Sequence, residues 1–317
     1  MPEDNLEEII KKKNVKIVER LEEQRLKKIE LEKIGGIPQF ITEDYTIKSG
    51  KYDIDHDIKV ENATLTIEKG TTINFGKDKG IYIGKYEENH SQIISEGTKA
   101  EPIILQTKMI RWCGLRLENT KSDNILRYTR ISGALKDRGG GINIYRGRLL
   151  LDNIILERCE AEYTTGGGIN IEDSDVRMEN ASIIDNYANS CGGGIYVNNS
   201  EVKIINTFIK NNKASAGAGI DIQHKSNISL EDTALISNHA EGPGGGIRAQ
   251  DNSKVRITNI TVTKNRASNK DMQIGEINVM GGGIYIYEAK LIQYGVNNIT
   301  DNTPNDIYEF KWPKLPL

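Results

Sequence analysis

The sequence predicts an all-β chain wound as a three-sided parallel β-solenoid of about nine coils, preceded by one amphipathic helix. Three observations carry this. The first is a glycine triplet before isoleucine that recurs at Gly139, Gly166, Gly192, Gly244 and Gly281, with a Gly-Ala-Gly-Ile version at Gly217, in steps of 27, 26, 25, 27 and 37 residues. Self-similarity in the twenties marks a solenoid. The second is a pair of aliphatic columns that appear when the repeats are aligned. The third is composition: 37% hydrophobic residues with 31 glycines suits a thin core wrapped by many turns.

In chain order, residues 3 to 34 read as the one helix. Leu6, Ile10, Ile17, Leu21, Leu26 and Ile29 recur at roughly helical spacing among Lys, Glu and Arg. Asp4 fits an N-cap, and Gly35-Gly36 followed by Pro38 stops the helix. Residues 1–37 are therefore set apart as a cap on the first coil or a partner-docking and self-association segment, and 38–317 as the solenoid. From Ile41 the period changes from 3.6 to 2, as in KVENATLTIEKGTTINFG, which reads as short strands divided by turns.

Anchoring each coil on its Gly-Ile pair aligns Ile81, Leu115, Ile142, Ile169, Ile195, Ile220, Ile247 and Ile284. Two residues on lie Ile83, Leu117, Ile144, Ile171, Val197, Ile222, Ala249 and Ile286. Residues two apart share a strand face, so both columns point inward. Each coil then offers a second strand (Val176 and Met178, Val202 and Ile204) and a third (Ile183, Ile209, Leu235, Val262). Stacked about 4.8 Å apart, such coils make a rod of roughly 40 Å or more.

The runs ATLTIEKGTTINF, GIYIG, SEGTKAEPIILQT and WCGLRL resemble the N-terminal coils of right-handed parallel β-helix proteins of the pectate-lyase-like superfamily. The later GGGIY-type repeats resemble those of bacterial surface and autotransporter-type β-helices. The resemblance covers about residues 41 to 310 and implies a right-handed parallel β-helix. It also implies that an enzyme of this fold would work with paired carboxylates, or with Arg and bound Ca2+.

Two polar columns accompany the aliphatic ones. Asn186, Asn212, Asn238, Asn265 and Asn302 fall at one place, with Cys159 there in an earlier coil. Asn153, Asn180, Asn206, Asp232 and Asn259 fall six residues before. In-register Asn is expected to form a coil-to-coil hydrogen-bond ladder and to accept the left-handed backbone of corners. Two coils are longer, at Lys85–His90 and Asn269–Val279, and are expected to loop out beside the first strand. The end, with Trp312, Pro313 and Pro316, reads as a cap from about residue 303.

The residue between the two inward aliphatics is expected to face out. That column reads Tyr82, Arg116, Asn143, Asn170, Tyr196, Asp221, Arg248, Tyr285. Aromatic rings and hydrogen-bonding groups on a long rigid face suit a saccharide chain, and a solvated polar face is the plainer reading. Asn170, Tyr196, Asp221, Arg248 and Tyr285 are the ligand-binding candidates; were the chain an enzyme, Asp221, Glu172 and Arg248 would be its catalytic candidates.

The formal net charge of −3 does not favour nucleic acid. Cys113, Cys159 and Cys191 have no ligand-like spacing, and His56, His90, His224 and His239 are scattered, so no metal set is expected. The acidic patch Asp53, Asp55, Asp57 around His56 is weighed for Ca2+, but it lacks EF-hand order, and a structural or solvated charge run is the plainer reading. No run is long enough to span a bilayer, and the N-terminus has no apolar leader segment; read literally, the chain is cytoplasmic, although a mature secreted or surface chain given a new Met would read the same. The expected function is a non-enzymatic scaffold that presents a rigid face to a polysaccharide or protein. The alternative is a polysaccharide lyase, hydrolase or epimerase acting on that face.

Overall fold

The computed structural model describes Glu22 and residues 36–310, except residues 110, 121 and 269–280 and the side chains at 86–89. The expected N-terminal helix, the long insertion after Ser268 and the Trp312–Pro316 cap fall outside the described residues. The rest is a parallel β-solenoid whose three main sheets hold 11, 10 and 10 strands, in keeping with the coil count expected from the repeats. A fourth sheet of 6 strands was not foreseen.

One coil shows the plan. Ile169–Glu172 lies in the first sheet, Asp175–Glu179 in the second, Ser182–Ile184 in the third and Tyr187–Cys191 in the fourth. Each strand pairs in parallel with its counterparts one coil away, as Ile169 does with Ile142 and Ile195. The inward columns are as read: from Ile81 to Ile284 and from Ile83 to Ile286 the side chains are buried, together with Val176, Met178, Ile183 and their equivalents. No coil buries these faces alone, so the core is a sum of contacts between neighbours.

The inner Asn column is a buried ladder. Asn212 Oδ1 accepts from Asn186 N at 3.0 Å and from Asn186 Nδ2 at 3.1 Å, and Asn212 donates to Asn238 Oδ1 at 3.0 Å and Ile183 O at 2.9 Å. Cys159 N begins the ladder on Asn186, and Asp306 ends it on Asn302. The expectation that these Asn carry the left-handed corner needs correction. Positive φ falls one residue earlier, at Asp185, Asn211, Ser237, Lys264 and Asp301, because the ladder Asn must keep its side chain inward. The outer column does carry it, with φ of 53° at Asn153 and Asn180 and 47° at Asn206.

The coil with the Lys85–His90 insertion keeps a long strand, Ile81–Asn89, whose register against Leu115–Thr120 jumps from Gly84↔Glu118 to Asn89↔Thr120. The extra residues therefore bulge beside the first sheet. Ile307–Phe310, expected within the cap, adds the last strand of that sheet.

Candidate functional site

The outward column of the first sheet is mostly not exposed, which corrects the expectation of a solvated face. Asn170 and Asp221 are 0% accessible, and Arg116, Asn143 and Tyr196 are also buried. The cause is the fourth sheet and the glycine corner after it. The first glycine of each triplet has positive φ, 72° at Gly166 and 56° at Gly217, and its backbone crosses over the residue four places on. A Cβ on Gly166 would sit 2.7 Å from Asn170, and one on Gly217 2.6 Å from the Asp221 Cβ. The glycines thus let the chain lie against its own first strand.

Beneath this cover the candidates satisfy one another. Arg248 grips Asp221 with two bonds, Nε to Oδ1 at 2.8 Å and Nη2 to Oδ2 at 2.6 Å. Gln223 Nε2 donates to the same carboxylate at 2.9 Å. Arg248 Nη2 also reaches Cys191 Sγ at 3.1 Å. Burial works against the charged form of Arg248, and the Asp221 carboxylate more than offsets it, holding the guanidinium above its ordinary range. Burial, with the fields of Asp221 and Glu172, pushes the Tyr196 phenol upward. Glu172 is engaged separately, by Asn170 Nδ2 at 2.9 Å and Arg138 Nη1 at 3.0 Å. In register terms Asn170, Tyr196 and Asp221 are consecutive, so Tyr196 stands between the two carboxylates. Tyr285 lies further along and stacks on Tyr308 with ring centres 5.6 Å apart.

The same column opens at the other end of the rod. Its register runs back beyond Tyr82, where the column read from sequence begins, to Lys59 and Phe40. Ile58-Lys59-Val60 has the same apolar–polar–apolar order as Ile81-Tyr82-Ile83, but Asp57 stands where later coils have glycine, so the anchor was missing. Here a cleft of about 600 Å³ is lined by two parallel files of side chains. One file is Phe40, Lys59, Tyr82 and Arg116. The other, two residues further along each strand, is Glu61, Gly84 and Glu118.

The charges of the cleft are unevenly matched. Lys59 Nζ is 3.8 Å from Asp57 and lies 5.6 Å from the Phe40 ring centre. Arg116 is only 5% exposed and gives its hydrogen bonds to backbone carbonyls: Cys113 at 2.7 Å, Gly140 at 2.8 Å and Arg138 at 2.5 Å. Among the described residues no carboxylate comes within ion-pair distance of it. Burial accordingly pulls its guanidinium down to about 10, against a partial compensation led by Tyr82. Glu61 and Glu118 are half-buried and have no hydrogen-bond or ion-pair partner for their carboxylates among the described residues.

No group of three or more His, Cys, Asp or Glu among the described residues converges to hold a metal. In the Asp53–Asp57 patch, Asp53 accepts a hydrogen bond from Asn74 at 2.7 Å, while Asp57 accepts from the Gly80 N–H and lies 3.8 Å from Lys59. No helix among the described residues is long and apolar enough to cross a membrane.

A family model described as the right-handed β-helix region matches residues 108–255 and 152–310, which together span more than half of the chain. The chain belongs to the right-handed β-helix family. Nothing among curated proteins or solved structures matches it. Family membership fixes the architecture and leaves the ligand open, because function in such a fold resides in the site.

Proposed function

We propose that this right-handed β-helix is a non-enzymatic binding module that holds a saccharide chain in the cleft over its first coils. The observation that carries this is the contrast within one column: the outer face is covered from Arg116 to Asp221, and opens into a cleft at Phe40, Lys59 and Tyr82, with the buried Arg116 at its edge. Two aromatic rings stand there beside groups able to bond hydroxyls, which is the mixture a sugar ring needs. The Lys59, Tyr82 and Arg116 rungs are locked by parallel pairing on both sides, so binding would not have to order them.

Catalysis at Glu172, Asp221 and Arg248, as in a lyase, hydrolase or epimerase, has less support. Both carboxylates are bonded to arginines, and Asp221 has no accessible surface to offer a substrate. A screen of immobilised oligosaccharides and polysaccharides tests the proposal. Retention of a glycan by the protein, cut roughly tenfold by Tyr82→Ala and unchanged by Tyr285→Ala, is the expected result. Absence of any glycan binding, or full binding by Tyr82→Ala, would overturn it.

A further inference from the structure

Two mismatches of charge open on the same cleft, and Glu118 acts on Arg116 only through its field, with no ion pair or hydrogen bond between them. The first is the pair Glu61 and Glu118. They sit one rung to either side of Gly84, about 9.6 Å apart along the rod at the usual strand spacing, and Gly84 leaves a notch between them. An ammonium group has three donors and no acceptor, so seated in that notch it would give hydrogen bonds to both carboxylates.

The second is Arg116. Three bonds to carbonyls leave part of its fork of five N–H donors, and a buried guanidinium ordinarily has an anion beside it. Its equivalent further along the column, Arg248, has Asp221. Of the other cations lining the cleft, Lys59 lies 3.8 Å from Asp57 and Lys85 is exposed to solvent and engaged, so Arg116 is the buried cation in want of a close anion. The two files are two residues apart on the strand, about 6.6 Å, and Tyr82 in one file stands beside the Gly84 notch in the other. That span is comparable to one sugar ring. A metal ion fits poorly, since two carboxylates beside an arginine are too few oxygens and the wrong neighbour.

Building on the saccharide reading above, we infer that the cleft selects a zwitterionic sugar unit, with a cationic amine between Glu61 and Glu118 and an anionic carboxylate against Arg116. The amine is held over Gly84, the ring covers Tyr82, and the carboxylate supplies the directly paired anion that Arg116 lacks among the described residues.

Four small sugars separate the contributions: muramic acid carries both charges, N-acetylmuramic acid only the carboxylate, glucosamine only the amine, and glucose neither. Titrations of the whole protein, followed by ligand-observed NMR at neutral pH and low salt, are expected to rank muramic acid at least about tenfold tighter than each of the others. Glu61→Gln with Glu118→Gln should bring muramic acid down to the level of N-acetylmuramic acid. Arg116→Gln should bring it down to that of glucosamine, with thermal melting used to confirm that this variant folds; the Glu variants keep the test decisive if it does not. Equal binding of all four sugars would overturn the charge selection and leave the saccharide cleft standing. Muramic acid binding that is unchanged in the double Glu variant would do the same. Binding of none of them would remove both readings.

Discussion

Arg116 and Arg248 stand in one column of one sheet, five rungs apart, and their surroundings diverge. Arg248 is locked to a buried carboxylate, with a glutamine bonded to the same group. Arg116 is bonded to three carbonyls and to no acid among the described residues. Both are shielded by the chain that crosses the first strand, and only Arg116 borders an open cleft. The repeat therefore fixes where a side chain stands and not what it does. In the middle of the rod the column has closed on itself as part of the fold; near its first coils the same column keeps charges that a ligand can match.

The largest expected effect breaks the closed end. Arg248→Met would strand Asp221, fully buried, without its partner, and should destabilise the protein by about 3–5 kcal/mol. Chemical denaturation would show this as a lower midpoint. Adding Asp221→Leu to Arg248→Met removes the stranded charge as well and should restore much of the loss, because a buried ion pair can be exchanged for packed apolar groups. A double variant no more stable than the single one would mean that the pair is not acting as a unit.

Next in size is the ladder inside the same coils. Asn212→Ala removes an acceptor for two Asn186 donors and leaves Ile183 O and Asn238 Oδ1 each short of a donor, at a cost of roughly 3 kcal/mol. Arg116→Met should cost less, about 1–3 kcal/mol. It exposes no buried charge, but the carbonyls of Cys113, Arg138 and Gly140 lose their donor. If Arg116→Met proves as damaging as Arg248→Met in the same denaturation series, the contrast between the two ends fails.

The sequence showed the inside of this rod far better than its outside, for a physical reason. Inward columns follow from period-2 alternation and the Gly-Ile anchor, both local, and every inward position aligned from the repeats is buried. The cover over Asn170 and Asp221 depends on where the fourth strand and the glycine corner cross, which alternation along the first strand does not encode. A trace was present in the triplet itself. Gly167 and Gly168 face the backbone of the next coil at distances no Cβ tolerates, while Gly166 faces Asn170, so three adjacent glycines record three separate close approaches. The cleft is not legible from the repeat because its Phe40 and Lys59 rungs lack the glycine that anchors the Tyr82 and Arg116 rungs. Glu61 and Glu118 gain meaning only when register places Gly84 between them.

The smallest expected effect is the most discriminating for the open end. Glu61→Gln and Glu118→Gln remove charge from carboxylates that hold no partner among the described residues, so each should change unfolding stability by no more than about 0.5 kcal/mol. Charge removal is not neutral by default: a carboxylate that stabilises the fold through an ion pair or hydrogen bonds loses that contribution when it becomes an amide. Near-silence in denaturation would therefore mean that the fold does not use these two groups. A loss above about 1 kcal/mol in either variant would reveal a structural role for the acid file. The two glutamates would then belong with Asp221, as part of the scaffold, and the cleft would have no charge to spare for a ligand amine.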